Sequence, residues 1–187
     1  MKKLVYLTGA PASGKSTLIK GLAAEISDLK VFEYGRAMSA LLKSVSRESL
    51  RDGTDGRVTQ TDIDEVDRQM ADWAHEFRRQ NNLIIDSHHV TIESYGFRIA
   101  PFSLAKLETL QIDEFWVLIA DSALSVERIE RDRRGRRIPS PYQADFHTAV
   151  QASLASQYAV LTARPVYIFD SANESTDLVS AAVRRFE

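Results

Sequence analysis

Gly9-Ala10-Pro11-Ala12-Ser13-Gly14-Lys15-Ser16-Thr17 follows the apolar run Leu4-Val5-Tyr6-Leu7 and opens a segment with helical periodicity. The first eight of these residues fit G-x-x-x-x-G-K-[ST], and a strand that ends as a helix begins is the setting that pattern requires. In such a turn successive backbone N–H groups curl around an anion, and the helix N-terminus adds its positive end. Gly9 and Gly14 permit a close backbone approach that a side chain would obstruct. Lys15 would then reach β- and γ-phosphate oxygens as a point charge. The Ser16 hydroxyl is a hard ligand for Mg²⁺, and Thr17 falls beside the α-phosphate. The plain alternative is an ordinary Gly-containing turn.

Working outward, four more short apolar runs stand at Val31–Tyr34, Leu83–Ile85, Phe115–Ile119 and Val166–Phe169. Continuous apolar runs of this length read as strands buried on both faces. Between them lie helical patterns. Leu18, Leu22 and Ile26 repeat at four-residue spacing, and Ile63, Val66, Met70, Trp73 and Phe77 form a stripe that Thr61 could cap. Helices are also expected near 101–111, 122–132, 143–161 and 174–186. Strands alternating with helices predict an α/β fold with a five-stranded parallel sheet flanked by helices on both faces. Loops are expected at Gly53–Gly56 and at Arg133–Pro141, as the mobile segments of a single domain spanning 1–187.

With 187 residues the chain is long enough for a full core. A 44% apolar and 27% charged composition is ordinary for a soluble domain, and a net charge of −2 speaks against a globally basic nucleic-acid binder. The absence of cysteine excludes disulfides, thiolate catalysis, zinc–cysteine sites and iron–sulfur clusters. No apolar run approaches the roughly 20 residues of a membrane span, so no membrane partner is expected and cytoplasmic residence fits. A homo-oligomer remains open.

Asp86 ends the third apolar run, on the sheet edge where α/β folds bind ligands. It could hold a Mg²⁺ water, orient an acceptor or contact the phosphate turn. Asp121 ends the fourth run in a similar way, but capping the next helix is the favoured reading there. Arginines occupy 128, 131, 133, 134, 136 and 137. On a helix, Arg128, Arg131 and Arg134 fall near one face, and guanidinium forks suit phosphate oxygens. The alternative is a solvated charged face shared with Glu127, Glu130 and Asp132. A structural or loop role is expected for His75, His88, His89 and His147, although His88 and His89 follow Asp86 closely enough to line a site.

Taken together, the chain resembles P-loop nucleoside monophosphate kinases, most nearly archaeal-type adenylate kinase, from Lys3 to about Phe169. The matching pieces are Gly9–Thr17, Tyr34-Gly35-Arg36-Ala37-Met38, Arg57, Ile84-Ile85-Asp86-Ser87-His88, Tyr95-Gly96-Phe97 with Pro101, the arginines 128, 134 and 136, and His147 with Tyr158–Thr162. The resemblance implies a P-loop NTPase fold, with an acceptor-binding segment at about 35–80 and a lid at about 128–142. It implies ATP and Mg²⁺ on Gly9–Thr17, with Ser16 and Asp86 toward the metal. The acceptor would lie against Gly35, Arg36, Met38, Arg57, Ser87 and His88. Lys15, Asp86, Arg128, Arg134 and Arg136 would serve catalysis. The implied reaction is transfer of the γ-phosphoryl group to a nucleoside monophosphate. The alternatives are a kinase of another small molecule or nucleoside, or an ATPase or switch without a small acceptor. Two departures bear on the acceptor: Arg36 replaces a small hydroxyl residue, and Gln151-Ala152 replaces an Asn-Arg pair.

Overall fold

The five apolar runs form one parallel sheet in the order β2-β3-β1-β6-β7: β1 (Leu4–Gly9), β2 (Leu29–Glu33), β3 (Asn82–Asp86), β6 (Glu114–Ile119) and β7 (Val166–Asp170). The computed structural model describes residues 2–42, 58–131 and 138–187. The inner strands β3, β1 and β6 are buried at nearly every position, while the edge strands β2 and β7 are half-buried. That is why the inner three read as unbroken apolar runs.

Alternation along the strands builds two cores. Leu4, Tyr6, Leu83, Ile85 and Phe115 pack on one face with Met70, Leu107 and Tyr158. These last three come from α3 (Gln60–Phe77), α4 (Leu104–Leu110) and α6 (Pro141–Thr162). Val5, Leu7, Ile84, Trp116 and Leu118 pack on the other face with Leu18, Leu22, Leu178 and Ala182. Those helical residues belong to α1 (Lys15–Glu25) and α7 (Ser175–Val183). The remaining helix between strands, α5 (Ser122–Arg131), follows β6.

The structure corrects several sequence expectations. Tyr34 does not end β2 but starts a helix, α2 (Tyr34–Leu41), that buries Met38 against Val58 and Val66. The cap of α3 is Thr59 rather than Thr61. Its Oγ1 accepts from Asp62 N at 3.3 Å while the Asp62 carboxylate accepts from Thr59 N at 2.8 Å, a reciprocal pair that starts the helix at Gln60 and leaves Thr61 inside its first turn. Ser140 and Gln143 form the same box at the start of α6, with Pro141 just inside the helix. An antiparallel hairpin, β4 (Val90–Glu93) and β5 (Gly96–Ile99), stands apart from the main sheet. Gly53–Gly56 and residues 133–137 of the second expected loop lie outside the described residues. Among the described residues no helix is long and apolar enough to cross a membrane.

Candidate active site

Parallel register brings three strand ends to one edge. Asp86 is level with Leu7 on one side and Glu33 on the other, and Gly9 is level with Leu118 of β6. The phosphate-turn signature leaves the sheet at that point. A Cβ on Gly9 would stand 2.5 Å from the Leu118 carbonyl oxygen and 2.6 Å from Ser13 Oγ, so a side chain there would displace the β6 backbone. Ala12 (φ 62°) and Gly14 (φ 96°) are left-handed, which folds the turn back onto the first residues of α1. No side chain caps α1 and its first turn holds no acidic residue, so its positive end is left for an anion. Lys15 Nζ donates to the Gly9 carbonyl at 2.8 Å. Ser13 Oγ is buried in this cradle without a hydrogen-bond partner among the described residues.

The cradle opens into a cavity of about 720 Å³, within the usual range for a small-molecule site. Arg128 lines it from α5. Its guanidinium donates to the Ala12 carbonyl at 3.2 Å and to Ser171 Oγ and the Ser171 carbonyl at 3.0 Å each. Arg128 was expected in a mobile lid, but here it clamps the phosphate turn to the segment after β7. Arg131 does not share its face: it is exposed and pairs with Glu127 at 2.5 Å. Asp121 caps α5 through Ala123 N at 2.7 Å, as the favoured reading held.

A second wall carries Tyr34, Gly35, Met38, Ile63, Asp67 and Asp86. Tyr34 Oη donates to the buried Asp67 carboxylate at 2.9 Å, and Lys106 pairs with the same carboxylate. Burial, reinforced by Asp67, pushes the Tyr34 phenol well above its ordinary pKa, so it stays a donor. Arg98, from the hairpin, also lines the cavity and donates to the Val58 carbonyl at 3.2 Å.

The third wall holds His88, His89 and His147. His147 Nε2 lies 3.0 Å from the Val90 carbonyl, tying α6 to β4, and its Nδ1 has no partner among the described residues. Burial, helped by the Lys15 charge, lowers the His147 pKa to about 4. His89 stacks on Tyr6 with ring centroids 5.5 Å apart, and burial lowers its pKa to about 4 as well. Both rings are neutral at physiological pH.

The cavity therefore gathers Gly9–Thr17, Gly35, Met38, Asp86, His88 and Arg128 from the sequence expectations. Ser87 is buried off the cavity wall, and Arg36 is mostly exposed beside Glu33. Arg57, Arg134 and Arg136 lie outside the described residues. Sequence reading missed Tyr34, Asp67 and the place of His147. A usable signal existed for His147, a titratable residue in the otherwise mostly small or apolar buried stripe Ala144, His147, Gln151, Ala155 and Tyr158 of α6.

A parallel sheet with an anion cradle between its central strand and first helix defines a P-loop nucleotide-binding protein. More narrowly, residues 8–142 match the AAA domain family, and the chain belongs to it. No curated protein matches the chain. Solved structures with the same fold include a sugar kinase from Janibacter sp. HTCC2649, 16% identical, covering 98% of this chain and 94% of its own, at a TM-score of 0.58. A candidate kinase from Chloroflexus aurantiacus is 17% identical, covering 100% and 98%, at 0.61. The tunicamycin resistance protein of Deinococcus radiodurans is 15% identical, covering 99% and 95%, at 0.62. The chain thus shares its fold with two structures named as kinases and with a resistance protein.

Proposed function

We propose that the chain is an ATP-dependent phosphotransferase acting on a small acceptor. The observation that carries this reading is continuity: the anion cradle and the Tyr34–Asp86 wall border one cavity of about 720 Å³. The backbone N–H groups of the turn and Lys15 would hold the donor phosphates. Ser16 and Asp86 offer oxygen ligands on the same cavity, a donor set that fits Mg²⁺. When bound, Mg²⁺ offsets the charge on the β- and γ-phosphates.

An acceptor oxygen on the opposite wall would attack the γ-phosphorus in line. The new O–P bond forms, the bond to the β,γ-bridging oxygen breaks, and ADP leaves. A phosphate acceptor needs no base, whereas a hydroxyl acceptor loses its proton, and Asp86 is placed to take it. The family resemblance favours a nucleoside monophosphate. Ala152, where the resemblance expects an arginine, weakens that choice, and the neutral wall of His89 and His147 favours a hydroxyl compound.

Coupled measurement of ADP formation over monophosphates, nucleosides and sugars tests the reading. Acceptor-dependent ADP formation with at least one class is expected. Hydrolysis that no acceptor accelerates would instead mark an ATPase or switch.

A further inference from the structure

We propose that the outward face of α6, together with the groove beside it, pairs two copies of this chain about a two-fold axis. The proposal stands independently of the phosphotransferase reading. It begins from a helix with too few charges. Tyr158 and Ala159 pack the inner side of α6 on the sheet, so the outer side should be built to meet water. At the chain's 27% charged fraction, about six of the 22 residues of α6 would carry charge, yet Asp145 alone does. By contrast α3 has seven charged residues in 18, and its exposed Arg68 pairs with Glu65 and Asp72.

What faces outward on α6 is a stripe at three- and four-residue spacing: Tyr142, Phe146, Ala149, Ser153, Gln157 and Val160, with Leu161 beside it. Tyr142 is 74% exposed, Val160 82% and Leu161 59%. Phe146 is held in place by Phe97, with ring centroids 4.9 Å apart, and Tyr142 stacks on it at 6.1 Å. Alongside runs a groove of about 450 Å³, lined by Val150 and Leu154 of α6 and, on its far rim, by Ile99 and Pro101. Every residue lining it is uncharged.

A monomer seldom leaves an apolar patch of this extent bare. A nucleic acid or an anionic membrane would call for lysines and arginines, and α6 has none. A charged peptide would be desolvated there with nothing to pair with. The surface that meets these terms is the same face of another copy. Side-chain size along the stripe reads nearly the same in both directions. Tyr142 and Phe146 stand at one end, small Ala149 and Ser153 in the middle, and Val160 and Leu161 at the other. Turned antiparallel, two such stripes cross at their small residues, which lets the helices approach closely. Tyr142 of each copy then lies over the Val160–Leu161 end of the other. Contacts repeated in this way close an isologous dimer. From Tyr142 to Leu161 the stripe runs about 28 Å at 1.5 Å per residue. Helix and groove together are roughly 20 Å wide, about twice the diameter of one helix. The footprint, roughly 560 Å² per copy, comes close to the total of about 1,200 Å² at which specific interfaces begin. The expected dimer therefore dissociates on dilution.

Sedimentation of the full chain over a concentration series is expected to show the mass rising from 21.0 kDa toward twice that value. Ser153→Arg sets like charges against each other near the axis, at an exposed position where a lone chain has room for the side chain. It is expected to raise the dissociation constant tenfold or more while the Tm in dilute solution stays unchanged. Because the chain has no cysteine, single replacements also report the geometry. A short bismaleimide should join Ser153→Cys to its counterpart but not Lys20→Cys, on α1 at the opposite face of the sheet. That readout holds if the arginine variant fails to fold.

A mass fixed at 21.0 kDa at every concentration, a dimer that folded S153R leaves at full strength, or equal crosslinking of the two cysteine variants would each overturn the proposal. Retention of a monomeric chain on anionic vesicles or oligonucleotides, altered by S153R, would assign the face to another partner and overturn it as well.

Discussion

The two ends of the central sheet treat their buried polar groups in opposite ways. At the end away from the cavity, Glu114 accepts from Lys3 at 3.1 Å, from Arg185 at 2.9 Å and from Trp116 Nε1 at 2.9 Å. Nearby, Asp28 pairs with Lys2 and accepts from Asn82 N at 3.1 Å, and Asp113 accepts from Leu4 N at 2.8 Å. At the cavity end, Ser13 Oγ, His89 Nε2, His147 Nδ1 and Gln151 Nε2 are buried without partners among the described residues. Unpaired buried polar atoms typically destabilise by about 1–3 kcal/mol each. The difference separates an end whose polar groups the chain pairs itself from one, beside the cavity, where it leaves several unpaired among the described residues.

The largest expected effect tests the cavity end directly. Lys15→Ala should lower turnover by about 10²–10³-fold, the scale for losing one preorganised charge stabiliser, while circular dichroism and Tm stay near wild type. Normal turnover in the folded variant would remove Lys15 from the proposed chemistry.

Next come two separate pH windows, both on the acid side, for the two ends. His89 and His147 have pKa values lowered to about 4, against about 6.5 when unfolded. Between these values the unfolded chain binds more protons, so stability rises with pH and is lost as pH falls from 6.5 toward 4. A shift of this size corresponds to about 3 kcal/mol for each ring. At the other end, burial alone would raise the Glu114 pKa, but hydrogen bonds from Arg185, Trp116 and Lys3 outweigh it and hold it below the usual range. Its contribution is intact above the unfolded value near 4.3 and is lost only as pH falls through the lower, folded value. Urea titrations across pH should therefore show a slope between 6.5 and 4.5 that H89Q reduces. A flat profile in that window would break the contrast.

Smaller still, Glu114→Ala should cost about 1–3 kcal/mol by chemical denaturation, softened because Lys3 and Arg185 can regain water, and leave ATP affinity unchanged. Asp121→Ala should cost about 1 kcal/mol as a lost cap with unchanged turnover. A turnover loss would make Asp121 more than a cap.

What could be read from the sequence follows the same division. The inner strands announce themselves because both faces are buried, and the Gly9–Thr17 turn does so because its chemistry is local. Helix α2 was missed because its eight residues follow β2 without a break and bury only Met38. The hairpin was missed because four-residue strands outside the main sheet carry little pattern, although Ser94-Tyr95 followed by Gly96 was a turn signal. Tyr34, Asp67 and His147 meet in the cavity from three separate helices, and no spacing along the chain records that meeting.

The Arg128 guanidinium reaches both the Ala12 carbonyl and Ser171, so the signature turn is braced by an arginine that is itself anchored after the last strand. A fragment ending at residue 142 would carry the whole family match and Arg128 itself, yet lack Ser171, which holds the guanidinium in place. Transplanting the motif into another scaffold would need the distant strut as well as the nine-residue signature.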